Sequence, residues 1–66
     1  MAREQRMTEV QVGDVVRIED ERMADKWHRV TEVTRQDDEV RLTVRGERSG
    51  ALAWASRPET DTLIVR

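Results

Sequence analysis

The chain has 66 residues, enough for one small domain with an economical core, and no cysteine, so neither a disulfide nor a thiolate-based zinc site staples it. Charged residues make up 39% and hydrophobic residues 36%, and the formal net charge of -2 argues against the general phosphate affinity of a strongly basic nucleic-acid binder. No N-terminal apolar signal segment and no run near the roughly 20 apolar residues of a membrane span occurs, so the reading is a cytoplasmic protein with no membrane partner.

Met1 to Glu9 is polar, without a repeated apolar position, and reads as a flexible arm, either frayed or a single helical turn, ahead of a domain over residues 10–66. Val10, Val12, Val16 and Ile18 share parity, with a kink at Gly13-Asp14 and a strand from Val15 to Glu19. Asp20 to Lys26 has no strand pattern and reads as an exposed loop, with Met23 folding back as a lid.

Trp27, Val30 and Val33 are spaced by threes, which an ideal strand places on alternating faces. The β-branched residues Val30, Thr31, Val33 and Thr34 disfavour a helix. A β-bulge near Thr31-Glu32 is the better answer, because one extra residue returns Val30 and Val33 to the same face. Gln36 to Glu39 turns the chain, and a tip at Asp37-Asp38 sets Val33 opposite Leu42 and Val30 opposite Val44. Val40, Leu42 and Val44 alternate with Arg41, Thr43 and Arg45, the clearest period of two in the chain.

Gly46 to Gly50 forms the next turn, with Gly50 the candidate for a positive φ. A three-residue loop there preserves parity, placing Leu52 and Trp54 in the core and Ala51, Ala53 and Ala55 outside. On that register Trp54 is the largest core residue, and its truncation costs about 3–5 kcal/mol. Ser56 to Asp61 breaks the strand at Pro58 with a short 3₁₀ turn, and Thr62 to Val65 forms the last strand.

Five short strands, a longer loop after the first, two tight hairpins and a Pro-containing turn before the last strand resemble the SH3-like small β-barrel. The opening Val12-Gly13-Asp14-Val15-Val16-Arg17-Ile18 is similar to the start of KOW-type barrels, and Trp27-His28-Arg29-Val30 with Leu63-Ile64-Val65 loosely resembles small barrels of actinobacteria and their phages. Eleven of the twelve basic residues are Arg, and Phe, Tyr, Asn and Cys are absent, a pattern that a GC-rich genome accounts for. The resemblance implies an all-β, five-stranded barrel with a 3₁₀ turn before the last strand. The structural alternatives are an OB-fold, for which the Gly46 to Gly50 segment is too short to hold the usual helix, and an antiparallel sheet that closes by dimerising.

His28 is the only histidine, and no second His, Cys or activated Ser accompanies it, so the chain reads as a non-enzyme without cofactor. Asp37-Asp38-Glu39 lacks the ligand spacing of a calcium loop and reads as a turn, leaving no metal site. The candidate partner-binding residues are Trp27, which the bulge turns towards an edge or which packs as a partly buried lid, its neighbour His28, and the outer-face arginines Arg17, Arg41 and Arg45. Interleaved Glu19, Glu32 and Glu39 offer those arginines ion pairs instead. The functional expectation is a binding module or adaptor that engages a protein through its outer surface or a sheet edge. The alternatives are a nucleic-acid-binding accessory protein using the arginines, and a homodimer.

Overall fold

The computed structural model describes residues 2–66, leaving Met1, the first residue of the expected arm, outside the described residues. Its described residues form six strands: β1 (Arg3–Arg6), β2 (Val15–Arg17), β3 (Trp27–Gln36), β4 (Glu39–Gly46), β5 (Leu52–Pro58) and β6 (Thr62–Val65). One antiparallel sheet holds all six, in the order β1-β6-β2-β3-β4-β5. The chain is thus all-β as expected, but with six strands rather than five. The sheet is open, since β1 and β5 lie at opposite ends of that order and do not pair.

The extra strand comes from the supposed arm. Arg3–Arg6 pairs with Thr62–Val65 through backbone groups, which any residue but proline supplies, so no apolar alternation announces it. A 3₁₀ turn over Met7–Glu9 follows, and the Met7 amide donates to the Asp61 carbonyl at 3.0 Å. That turn drops Met7, fully buried, into the core. The 3₁₀ turn expected before the last strand is absent. Instead β5 runs on to Pro58, and a tight turn closed by the Asp61 amide and the Pro58 carbonyl at 2.9 Å leads into β6.

The first hairpin follows the pattern of its residues. Val30 lies opposite Val44 and Val33 opposite Leu42, with the register shifting between Val30 and Glu32. Thr31 is the extra residue, and its hydroxyl donates to the Thr43 carbonyl at 3.1 Å. Asp37 takes a φ of 56° at the tip, a left-handed conformation that Asp tolerates better than most residues. At the start of β2, the expected kink is present, with Gly13 at φ 98°.

The second hairpin overturns the expected register. Its loop has four residues, Glu47 to Gly50, because the Gly46 amide donates to the Ala51 carbonyl at 2.9 Å and the Gly50 amide to the Gly46 carbonyl at 3.0 Å. Gly50 closes the loop at φ 75°. One residue more in the loop sends every β5 side chain to the other face. Leu42 therefore faces Ala55, Val44 faces Ala53, and Trp54 lies opposite Thr43 on the outside. Trp54 is 62% exposed and Leu52 65%, where both were expected inside.

Small residues suffice on the inner face of β5 because other elements fill the space. Val40, Leu42, Val44 and Ala55 share one apolar cluster with Met7, Val10, Val16, Ile18, Val30 and Val65, and Met23, Val33, Ala53 and Leu63 pack against it. Met23 reaches it from the loop before β3, as a lid would. Trp54→Ala is therefore expected to cost no more than about 1 kcal/mol, the scale of a surface substitution together with an exposed cation–π contact. Urea denaturation checks this, and a loss near 3 kcal/mol would restore the inner placement.

Candidate protein-binding face

The odd-numbered residues of β4 turn outwards and carry their partners on β3 and β5 with them. The resulting rows are Thr34–Arg41–Ser56, Glu32–Thr43–Trp54 and Arg29–Arg45–Leu52. The Arg41 guanidinium lies 4.8 Å from the centre of the Trp54 ring, within cation–π reach, and Arg45 donates to the Gly50 carbonyl at 3.2 Å. Among the described residues neither arginine is paired with a carboxylate. A shallow cleft of about 380 Å³ opens between Glu32, Arg41, Thr43, Leu52 and Trp54.

This face adjoins an open sheet edge. Gly46 bonds to Ala51, and the Glu59 amide donates to the Asp38 carbonyl at 2.7 Å, so odd-numbered residues of β5 direct their backbone groups at β4. Leu52, Trp54 and Ser56 then present their N–H and C=O groups to the edge. Pro58 shares that parity, and its missing donor falls on the open side, where a strand tolerates proline. Ala51 to Ser56 carries no charge at all, whereas the other edge, β1, reads Arg-Glu-Gln-Arg.

The remaining expected site residues sit elsewhere. Arg17 lies opposite Trp27 across β2 and β3 and pairs with Glu19, just past the end of β2. Trp27 is half-buried beneath Arg66, whose guanidinium is 4.4 Å from the ring centre, so a cation already occupies the face expected to grip a partner. His28 is only 2% exposed and cannot touch a partner. Its position opposite Gly46 on β4 and Val16 on β2 puts it on the inner face, and among the described residues its Nδ1 has no hydrogen-bond partner. The structure therefore joins Arg41 and Arg45 to Trp54 and Leu52, which the sequence reading put in the core, while Trp27 and Arg17 lie one row further along the same face, beyond Arg29, and His28 lies on the inner face.

Asp25 was hidden in a stretch read as exposed loop. It is 6% exposed and accepts from the Ser49 hydroxyl and, at 3.3 Å, from the Ser49 amide, tying the loop before β3 to the β4–β5 turn. The Ser49 hydroxyl above all, helped by backbone amides and by nearby His28, holds the Asp25 carboxyl below its ordinary value of 3.8, although burial opposes this. A carboxyl lowered by folding contributes stability that is complete above its unfolded pKa and is lost as pH falls through the folded one. The stability gap between wild type and Asp25→Asn is thus expected to be constant near neutrality and to close as pH drops below about 4. Urea titrations of both proteins across that range check it, and a gap that widens on acidification would reverse the sign.

The acidic hairpin tip borders a depression of about 450 Å³ lined by Gln36, Asp37, Asp38 and Glu39 among others. Among the described residues no group of three or more His, Cys, Asp or Glu side chains is placed to hold a metal ion, and no helix is long and apolar enough to cross a membrane. Comparison with protein-family models, with curated proteins and with solved structures finds no match for this chain.

Proposed function

We propose that this protein is a non-enzymatic binding module that takes an extended polypeptide segment along the β5 edge and grips its alternate side chains with Trp54 and Leu52. The observation that carries this reading is the pairing of an uncharged, unpartnered strand edge with two large exposed apolar side chains on the same strand. Backbone pairing supplies affinity for any extended segment, and the side chains beside the edge select among them. Tryptophan and arginine are among the residue types enriched at the few positions that dominate binding energy.

The sheet also supports kinship with SH3-like barrels, in an opened form. The β2–β3–β4–β5 meander, with β6 returning beside β2, keeps the order of elements that the resemblance implies.

Binding to an immobilised library of synthetic seven-residue peptides tests the function. Retained peptides are expected to alternate apolar and polar residues, and Trp54→Ala to weaken binding at least about tenfold, the consequence of losing about 1.4 kcal/mol. The nucleic-acid alternative draws on Arg41 stacked against Trp54 with Arg45 nearby. It requires instead that a single-stranded oligonucleotide bind, with affinity falling steeply with salt and on Arg41→Ala or Arg45→Ala.

A further inference from the structure

Resting on the edge reading above, we infer that the segment received by β5 is β5 of a second copy, so that two sheets join edge to edge about a two-fold axis through Ala53. An antiparallel pairing of a strand with itself needs a sequence complementary to its own reversal. With Ala53 opposite the partner's Ala53, Leu52 lies opposite the partner's Trp54 and Trp54 opposite the partner's Leu52. Both exposed apolar side chains are then covered on one face of the joined sheet, as cross-strand aliphatic–aromatic pairs.

The backbone agrees with this register. Leu52 and Trp54 are the residues whose N–H and C=O groups point to the open edge, so each pair exchanges both hydrogen bonds across the axis. A register shifted by two, centred on Trp54, would leave Leu52 beside the partner's Ser56 and draw Pro58, which has no donor, into the ladder. Centred on Ala53, the paired stretch ends before Pro58, and Arg57 meets the turn residue Ser49 of the partner, with no like charges opposed. Edge protection points the same way. β1 carries charges that block strand addition, whereas Ala51 to Ser56 carries none in a chain with 39% charged residues.

So short an edge makes a small interface, below the range of tight complexes, so the dimer is expected to be reversible. Sedimentation equilibrium of the full chain from about 1 μM to about 1 mM covers the affinities such an interface provides. A concentration-dependent monomer–dimer equilibrium is expected. Ser56→Pro removes the amide donor facing the open edge together with the exposed hydroxyl that donates to Glu39 Oε2 at 3.0 Å, and Leu52→Lys places a charge opposite the partner's Trp54. Each is expected to give a monomer with an unchanged far-ultraviolet spectrum. Because the chain has no cysteine, Ala53→Cys reports the register alone. Its thiols face each other across the axis within disulfide reach and are expected to cross-link on mild oxidation, whereas Ser56→Cys is not. A wild-type chain monomeric at about 1 mM overturns the inference. A dimer indifferent to Ser56→Pro and Leu52→Lys, or one in which Ala53→Cys fails to cross-link, also overturns it. A monomer that still retains library peptides in a Trp54-dependent way leaves the binding-module reading standing without self-association, while a monomer that retains none removes both.

Discussion

Leu42→Ala is expected to leave much of the chain unfolded at room temperature. Leu42 is fully buried in the middle of β4, flanked by Val33 on β3 and Ala55 on β5. Removing its branched end forfeits the transfer free energy of those carbons and opens a cavity that a sheet paired on both sides cannot collapse to fill. Together these cost about 2–5 kcal/mol. A core in a chain this small supplies only about 3–5 kcal/mol in total, so the loss is comparable with the whole stability. Far-ultraviolet circular dichroism and urea titration measure it. Wild-type ellipticity with a barely shifted midpoint would place Leu42 outside the core.

Gly46→Ala is expected to be nearly as damaging, for a different reason. Gly46 does not need a positive φ; it needs an absent side chain. A Cβ built there would lie 1.8 Å from Asp25 Oδ2 and 2.8 Å from Asp25 Cγ. The carboxylate is held by Ser49, and Asp25 is too short to withdraw without leaving it. Forcing a methyl into this space costs about 1–3 kcal/mol by displacing backbone and carboxylate together. A double-mutant cycle isolates the cause. With Asp25→Ala in place the two closest obstructing atoms are gone and only Ser49 Oγ, at 3.0 Å, remains, so adding Gly46→Ala is expected to cost much less than it does in the wild type. Additive costs would mean that the two residues do not meet.

The contrast between the two hairpins shows which parts of this fold are written in its residues. In the first hairpin, spacing by threes on one strand and by twos on the other admits one solution, a bulge at Thr31, and the pairing of Val30 with Val44 follows. In the second, Ala51, Ala53 and Ala55 alternate with Leu52 and Trp54, and both sets are hydrophobic. Either can face inwards, and hydropathy favours the larger pair. The decision lies in the loop, where Asp25, more than twenty residues upstream, bonds Ser49 and fixes the four-residue turn. That contact is non-local, and no pattern within the hairpin reveals it. The same slip explains the candidate site. Arg41 and Arg45 were legible as outer-face residues from parity alone, but Trp54 and Leu52 joined them through a turn length that the sequence left open. β1 was illegible for a simpler reason, since it contributes backbone and no apolar side chain.

The pairing of β1 with β6 orders the events by which the chain assembles. β3, β4 and β5 meet through two short turns, so their contacts form at little loop-closure entropy. Arg3 and Val65 are neighbours in the sheet but lie almost the full length of the chain apart in sequence. Bringing them together becomes favourable only once β6 has settled against β2, beside Val16, and has given β1 an edge to join. The bulged meander is therefore expected to form first, and the terminal pair, with Met7 plugging the core behind it, to be the last part to form and the first to open, with its backbone amides the fastest to exchange with solvent.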